Sequence, residues 1–289
     1  MTINVVFSLI KAGDRLLEYK VLGSDPTKEY VIFLHGIGGS VNIFFPQMKA
    51  FRKSFNLIVV NLPGHKNSPS LSTYDEEFSF ETVTEEVVGV LDEIGVDKAH
   101  FVGISLGSVV IHHVLSTAPD RVQTAVLGGA ITKINLFGRF LLVLGSLLKN
   151  VTPHLYLYSL CARILMPRKN HKESRDAFIH EASQMKRADF LGWYNIVYSV
   201  PETFTHVNEK SASVPKLYIT GEGDHMFRDD VMKDTSHMPN TSFLVLSESG
   251  HVVNLDKPDA FNKLAISFIK TEGQMNWEDV SEEVLYSNH

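Results

Sequence analysis

The chain has 289 residues, 44% of them hydrophobic and 21% charged, with a net charge of −6. That length buries a sizeable core and suits one large α/β domain or two small ones. The composition excludes a disordered chain and lacks the basic face that nucleic-acid binding needs. A lone cysteine, Cys161, forms no disulfide within the chain, and a reducing, cytoplasmic setting is the expectation from it.

In chain order, Val5–Ile10 and Arg15–Leu22 around the turn at 11–14 read as a β-hairpin, and the N-terminus lacks the positive n-region of a signal peptide. Tyr30–Leu34 and Asn56–Val60 are continuous apolar runs, as expected of strands buried on both faces. The first ends in His35-Gly-Ile-Gly-Gly-Ser40, the second in Asn61-Leu-Pro-Gly-His65. Asn42–Phe51 and Phe80–Ile94 read as helices, and residues 100–103 as a strand. A helix then runs to about Ala118, followed by a strand over 122–127. This alternation predicts βαβ units and a mostly parallel sheet with helices on both faces.

From 131 to 210 the alternation stops. Several helices rich in Leu, Tyr, Phe and Met, broken at Pro153, Pro167 and Pro201, read as an insertion. Ile134–Val151 is its most apolar stretch, but Arg139 and Lys149 interrupt it; it reads as a buried or lid helix, with no stable membrane insertion. Strands resume at 215–220 and 242–246, a short helix lies at 229–236, and Pro258–Lys270 closes the chain as an amphipathic helix. The expected organisation is a core formed by 1–130 and 211–271, a helical cap over 131–210 and an acidic tail over 272–289.

The chemistry centres on Gly103-Ile-Ser-Leu-Gly107 between a strand and a helix. Such a turn is tight enough to need glycine on either side of the serine, and it holds the hydroxyl at a helix N-terminus. A bare G-x-S-x-G also arises as a glycine-bounded turn with an incidental serine. The rest of the chain supplies the context. A serine hydroxyl needs a base, and the base needs an orienting group. Asp224 and His251 follow the next strands in the order Ser, Asp, His, and sites on a parallel sheet form at the carboxyl ends of its strands. Glu222 is the rival acid, and the strand at 122–127 is followed by Gly128-Gly129-Ala130 with no carboxylate. Ser105, His251 and Asp224 are therefore the expected nucleophile, base and orienting acid. The backbone N–H of Leu106 and that of Ile37, with Gly38 as second choice, are the expected oxyanion donors. No HExxH, CxxC or phosphate-binding loop occurs, so neither metal nor cofactor is expected. His35 reads as ordering its loop.

These motifs together resemble the α/β-hydrolase superfamily, specifically its capped serine esterase-like members. The matching residues are His35-Gly36, Leu62-Pro63-Gly64-His65, Gly103–Gly107, Gly221-Glu-Gly-Asp224 and Gly250-His251 with Asp256-Lys-Pro258 and Phe261. The resemblance spans residues 30–270 and implies the fold and the triad; many chemistries share this frame. Two departures stand out: Asn61 where the family often has Asp, and Lys66 where it often has glycine. Ser105 argues against the dehalogenases and epoxide hydrolases, which use an aspartate nucleophile. The expected reaction is hydrolysis of small to medium apolar esters, with a small-molecule substrate under the cap. Phe137, Leu141, Leu144, Tyr156, Phe190, Trp193 and Tyr194 are the expected lining. The other readings are a C–C bond hydrolase or cofactor-free lyase using the same triad, or a ligand-binding regulator. The oligomeric state is left open.

Overall fold

A computed structural model describes residues 17–74, 77–149, 151–274 and 283–288. Eight strands form one sheet: β1 (Tyr19–Leu22), β2 (Tyr30–Leu34), β3 (Asn56–Val60), β4 (Ala99–Ile104), β5 (Val122–Gly128), β6 (Lys216–Gly221), β7 (Thr241–Leu246) and β8 (Val284–Asn288). Their order is β1-β3-β2-β4-β5-β6-β7-β8. The six central strands are parallel, and β1 and β8 close the two edges antiparallel.

Helices occupy the crossovers: α1 (Phe45–Phe51), α2 (Phe80–Glu93) and α3 (Leu106–Thr117). Between β5 and β6 come α4 (Leu136–Leu148), α5 (His154–Leu165), α6 (Lys172–Ala182), α7 (Arg187–Ile196), α8 (Val200–Thr205) and α9 (Val207–Lys210); after β6 come α10 (Arg228–Thr235), α11 (Val253–Asp256) and α12 (Pro258–Lys270). Every residue of β3, β4 and β6 is buried, which is why these strands read as unbroken apolar runs rather than alternating ones. α2 starts on a cap its sequence supplies, with Ser79 Oγ accepting from Thr82 N–H, and α12 starts on Pro258 in its first turn.

The first arm of the expected hairpin, Val5–Ile10, lies outside the described residues, and Tyr19–Leu22 pairs with β3. The tail is not only an acidic extension: residues 284–288 add β8 to the sheet, with Val245 opposite Tyr286. Of the two readings for α4, buried or lid helix, burial is not what is seen: Gly138 alone of its thirteen residues is buried.

Four loops leave the carboxyl ends of β2, β4, β6 and β7 on the same edge of the sheet. They carry His35–Ser40, Ser105, Asp224 and His251. The helices α4 to α7 cover that edge.

Candidate active site

β4 runs directly into α3 through a single residue, Ser105, at φ 55° and ψ −114°. This left-handed conformation is rare for a residue with a side chain and marks stored strain at a site. It persists because the surroundings leave no alternative. A Cβ on Gly103 would stand 2.6 Å from the Gly107 backbone, and one on Gly107 would stand 2.0 Å from the Leu34 carbonyl. Ser105 N–H bonds to Gly128 O, and Ser108 Oγ donates to Ser105 O at 2.6 Å and accepts from Ile131 N–H. Ser108 thus ties the turn to the start of the insertion, a role its place in the motif did not reveal.

Ser105, His251 and Asp224 come together in one chain of hydrogen bonds. Ser105 Oγ lies 2.9 Å from His251 Nε2, and His251 Nδ1 donates to Asp224 Oδ2 at 2.8 Å. All three residues are buried. Asp224 Oδ1 has no donor among the described residues, so the imidazole is the carboxylate's sole side-chain partner there. Glu222 is elsewhere: it accepts from Glu248 N–H and faces Arg168. The histidine loop is braced by Asp256, whose carboxylate accepts from Gly250 N–H at 2.7 Å and from Ser174 Oγ on α6 at 2.5 Å. Gly129 leaves room for His251, since a Cβ there would lie 2.1 Å from the His251 carbonyl.

The glycine-rich loop after β2 is held by two buried neutral histidines. His35 donates from Nδ1 to Gly36 O and accepts Leu62 N–H at Nε2. His65 donates from Nδ1 to Pro63 O and accepts Gly38 N–H at Nε2, 2.9 Å away. Burial lowers the basicity of both, His65 to about 4 and His35 well below its usual value, where the His65 ring adds to the effect. Gly38 N–H is therefore occupied. Among the described residues, Ile37 N–H and Leu106 N–H have no acceptor within the chain. Gly36 leaves the Ser105 side chain room, with a built Cβ 3.2 Å from Ser105 Cβ.

The insertion clasps this loop. Tyr158 on α5 donates its hydroxyl to Ile37 O at 2.8 Å. Glu181 on α6 accepts from Ser40 Oγ and Asn42 Nδ2 and pairs with Lys66 at 2.8 Å. Lys66 has φ 51°, which accounts for glycine being common at that place in the resembling family. Here the side chain gains an ion pair in exchange for the strain. Asn61 accepts Val41 N–H and donates to Glu18, so the amide uses both ends where a carboxylate offers only acceptors.

Above Ser105 lies a cavity of about 230 Å³. Ser105, Ile37 and Leu106 form its floor, and Leu141, Leu144, Phe190, Trp193 and Tyr194 stand in its walls. Phe137 and Tyr156 do not; they point to solvent, 50% and 72% exposed, because α4 and α5 turn their other faces inward. The walls that sequence reasoning missed include Leu148, Leu157, Tyr158 and Phe178. The polar groups of Tyr158, Trp193 and Tyr194 are tied to Ile37 O, Pro63 O and Leu142 O, so they add little polarity to the cavity.

A family model described as alpha/beta hydrolase fold matches residues 29–150. The chain has the α/β-hydrolase fold and is similar to that family over those residues. Similar proteins match it over most of its length. RutD of Pantoea ananatis, provisionally named a carbamate hydrolase, is 23% identical over 88% of this chain and 93% of its own. The carboxylesterase YbfK of Bacillus subtilis is 25% identical over 83% and 79% respectively. The enol-lactonase of Burkholderia xenovorans superposes with a TM-score of 0.73 at 17% identity, over 88% of this chain and 96% of that one.

Proposed function

We propose that this α/β-hydrolase cleaves carboxylic esters of small to medium apolar acyl or aryl groups through an acyl-enzyme on Ser105. The observation that carries the reading is the hydrogen-bonded chain Asp224–His251–Ser105 opening on an apolar cavity. As Ser105 Oγ attacks the ester carbonyl, His251 Nε2 takes its proton. The alkoxide leaves with that proton, and water then attacks the acyl carbon by the same route. Asp224 holds the imidazole with Nδ1–H toward the carboxylate and stabilises the imidazolium that forms.

Ile37 N–H and Leu106 N–H are the donors for the oxyanion; Gly38 is set aside because His65 uses its amide. Losing one such donor costs about 3–4 kcal/mol of transition-state stabilisation. The cavity supplies acyl specificity by burial alone, since its walls offer few free polar groups.

The test is a fluorophosphonate adduct mapped by mass spectrometry, followed by p-nitrophenyl esters from acetyl to dodecanoyl. The cavity is apolar and bounded, so kcat/KM is expected to pass through an optimum at a medium acyl chain and to fall again at dodecanoyl. An adduct on Ser105 without ester turnover overturns the esterase reading in favour of C–C hydrolysis or lyase chemistry on the same triad. No adduct on a folded chain favours a binding protein.

A further inference from the structure

We infer that the outer face of the α4–α5 pair docks on an anionic lipid surface. Twelve large hydrophobic residues are exposed among the described residues, and nine lie between 136 and 160. Leu136, Phe140, Val143 and Leu147 recur at helical spacing on α4 and form a stripe facing water, with Leu136 85% and Leu147 74% exposed. The opposite side of the same helix lines the cavity. A helix apolar on both sides belongs inside a core or against another apolar phase, and this one is not inside the core. Among the described residues no helix is long and apolar enough to cross a membrane, so the stripe fits a bilayer's interface and not its span.

Charge names the surface. Residues 131–172 contain seven Lys or Arg and no Asp or Glu, in a chain of net charge −6. Lys133 and Arg168 are neutralised by Asp234 and Glu222. Among the described residues no carboxylate lies within ion-pair distance of Arg139, beside the stripe on α4, or of Arg163, on the Tyr156–Leu160 side of α5, whereas Lys149 turns to Asn195 and the Tyr194 ring. Basic side chains beside an exposed apolar stripe complement anionic headgroups.

The cavity opens in the same face. Leu144, Leu160 and Cys161 line it and are also exposed, so a docked bilayer covers the mouth. Esters that partition into lipid would then enter without crossing water, a consequence that rests on the esterase reading; the docking does not.

The experiment is co-sedimentation of the full chain with 100 nm vesicles of phosphatidylcholine, with and without about one-third phosphatidylglycerol. Partition is expected to rise on the order of tenfold or more with the anionic lipid and to fall in high salt. Phe140→Glu/Leu147→Glu changes two exposed residues outside the cavity walls. It should abolish the partition while keeping the melting temperature and the turnover of a water-soluble ester. Absence of pelleting with anionic vesicles, equal pelleting with neutral ones, or undiminished pelleting of the double variant each overturns the inference. So does a dimer of the wild-type chain that the double variant dissolves, which would make a second copy the occupant. If vesicles bind and no ester is turned over, the docking stands and the esterase reading falls.

Discussion

On the proposed reading Ser105 is the attacking residue and His65 steadies the loop beside it, and each has a separate signature. Ser105→Ala removes the attacking oxygen and leaves the turn in place. Ester turnover is expected to fall by on the order of 10⁴-fold or more, with an unchanged circular dichroism spectrum and melting temperature. His65 acts at a distance by holding Gly38 N–H. Both its ring nitrogens are committed, which requires the neutral form. In the unfolded chain the imidazole titrates near 6.5, but in the fold at about 4. Between those values the unfolded state binds more protons, so this contribution is whole above pH 6.5 and is lost as pH falls toward 4. Its size is about 3 kcal/mol. His112, pushed by burial to about 3, adds to the same slope. The His65 share is therefore a difference: urea unfolding at pH 7 and 4.5 should cost the wild type about 2–3 kcal/mol more than His65→Gln.

At the scale of the element, the serine turn is where substitution is least tolerated. Gly107→Ala puts a methyl group 2.0 Å from the Leu34 carbonyl of a central strand. Backbone does not yield as a flexible side chain would, and the expected result is a loss of at least about 3 kcal/mol by denaturant titration, or insoluble protein. Such elements were largely legible in the sequence. Tyr30–Leu34 and Asn56–Val60 are apolar throughout because both sheet faces are covered, and Pro258 marks the start of α12. The serine, acid and histidine follow strand ends, so their meeting could be read from chain order. Two features could not. Val284–Asn288 carries no strong strand pattern, and β8 exists through pairing with β7. On α4 apolar residues surround the whole helix, so periodicity gives no inward face. Phe137 looked as fit to line a pocket as Leu141, and only packing separates them.

In the whole molecule, the cap and the core meet through a few buried polar clamps. Asp189 on α7 accepts from Ser70 Oγ and Leu71 N–H, each at 2.7 Å. Asp189→Ala leaves the Leu71 amide without that partner and is expected to weaken cap docking by about 1–3 kcal/mol. Limited trypsin digestion should then cut within 131–210 sooner than in the wild type, while the sheet resists. The Tyr158 hydroxyl makes one of these contacts on the loop that bears the Ile37 amide, and burial keeps that hydroxyl protonated as a donor. Lifting the cap to admit an oversized guest therefore slackens the loop proposed to steady the reacting carbonyl. Bulk is then penalised in turnover as well as in binding: on the esterase reading, esters too large for the cavity should bind yet react slowly, so the substrate would be measured during the reaction itself.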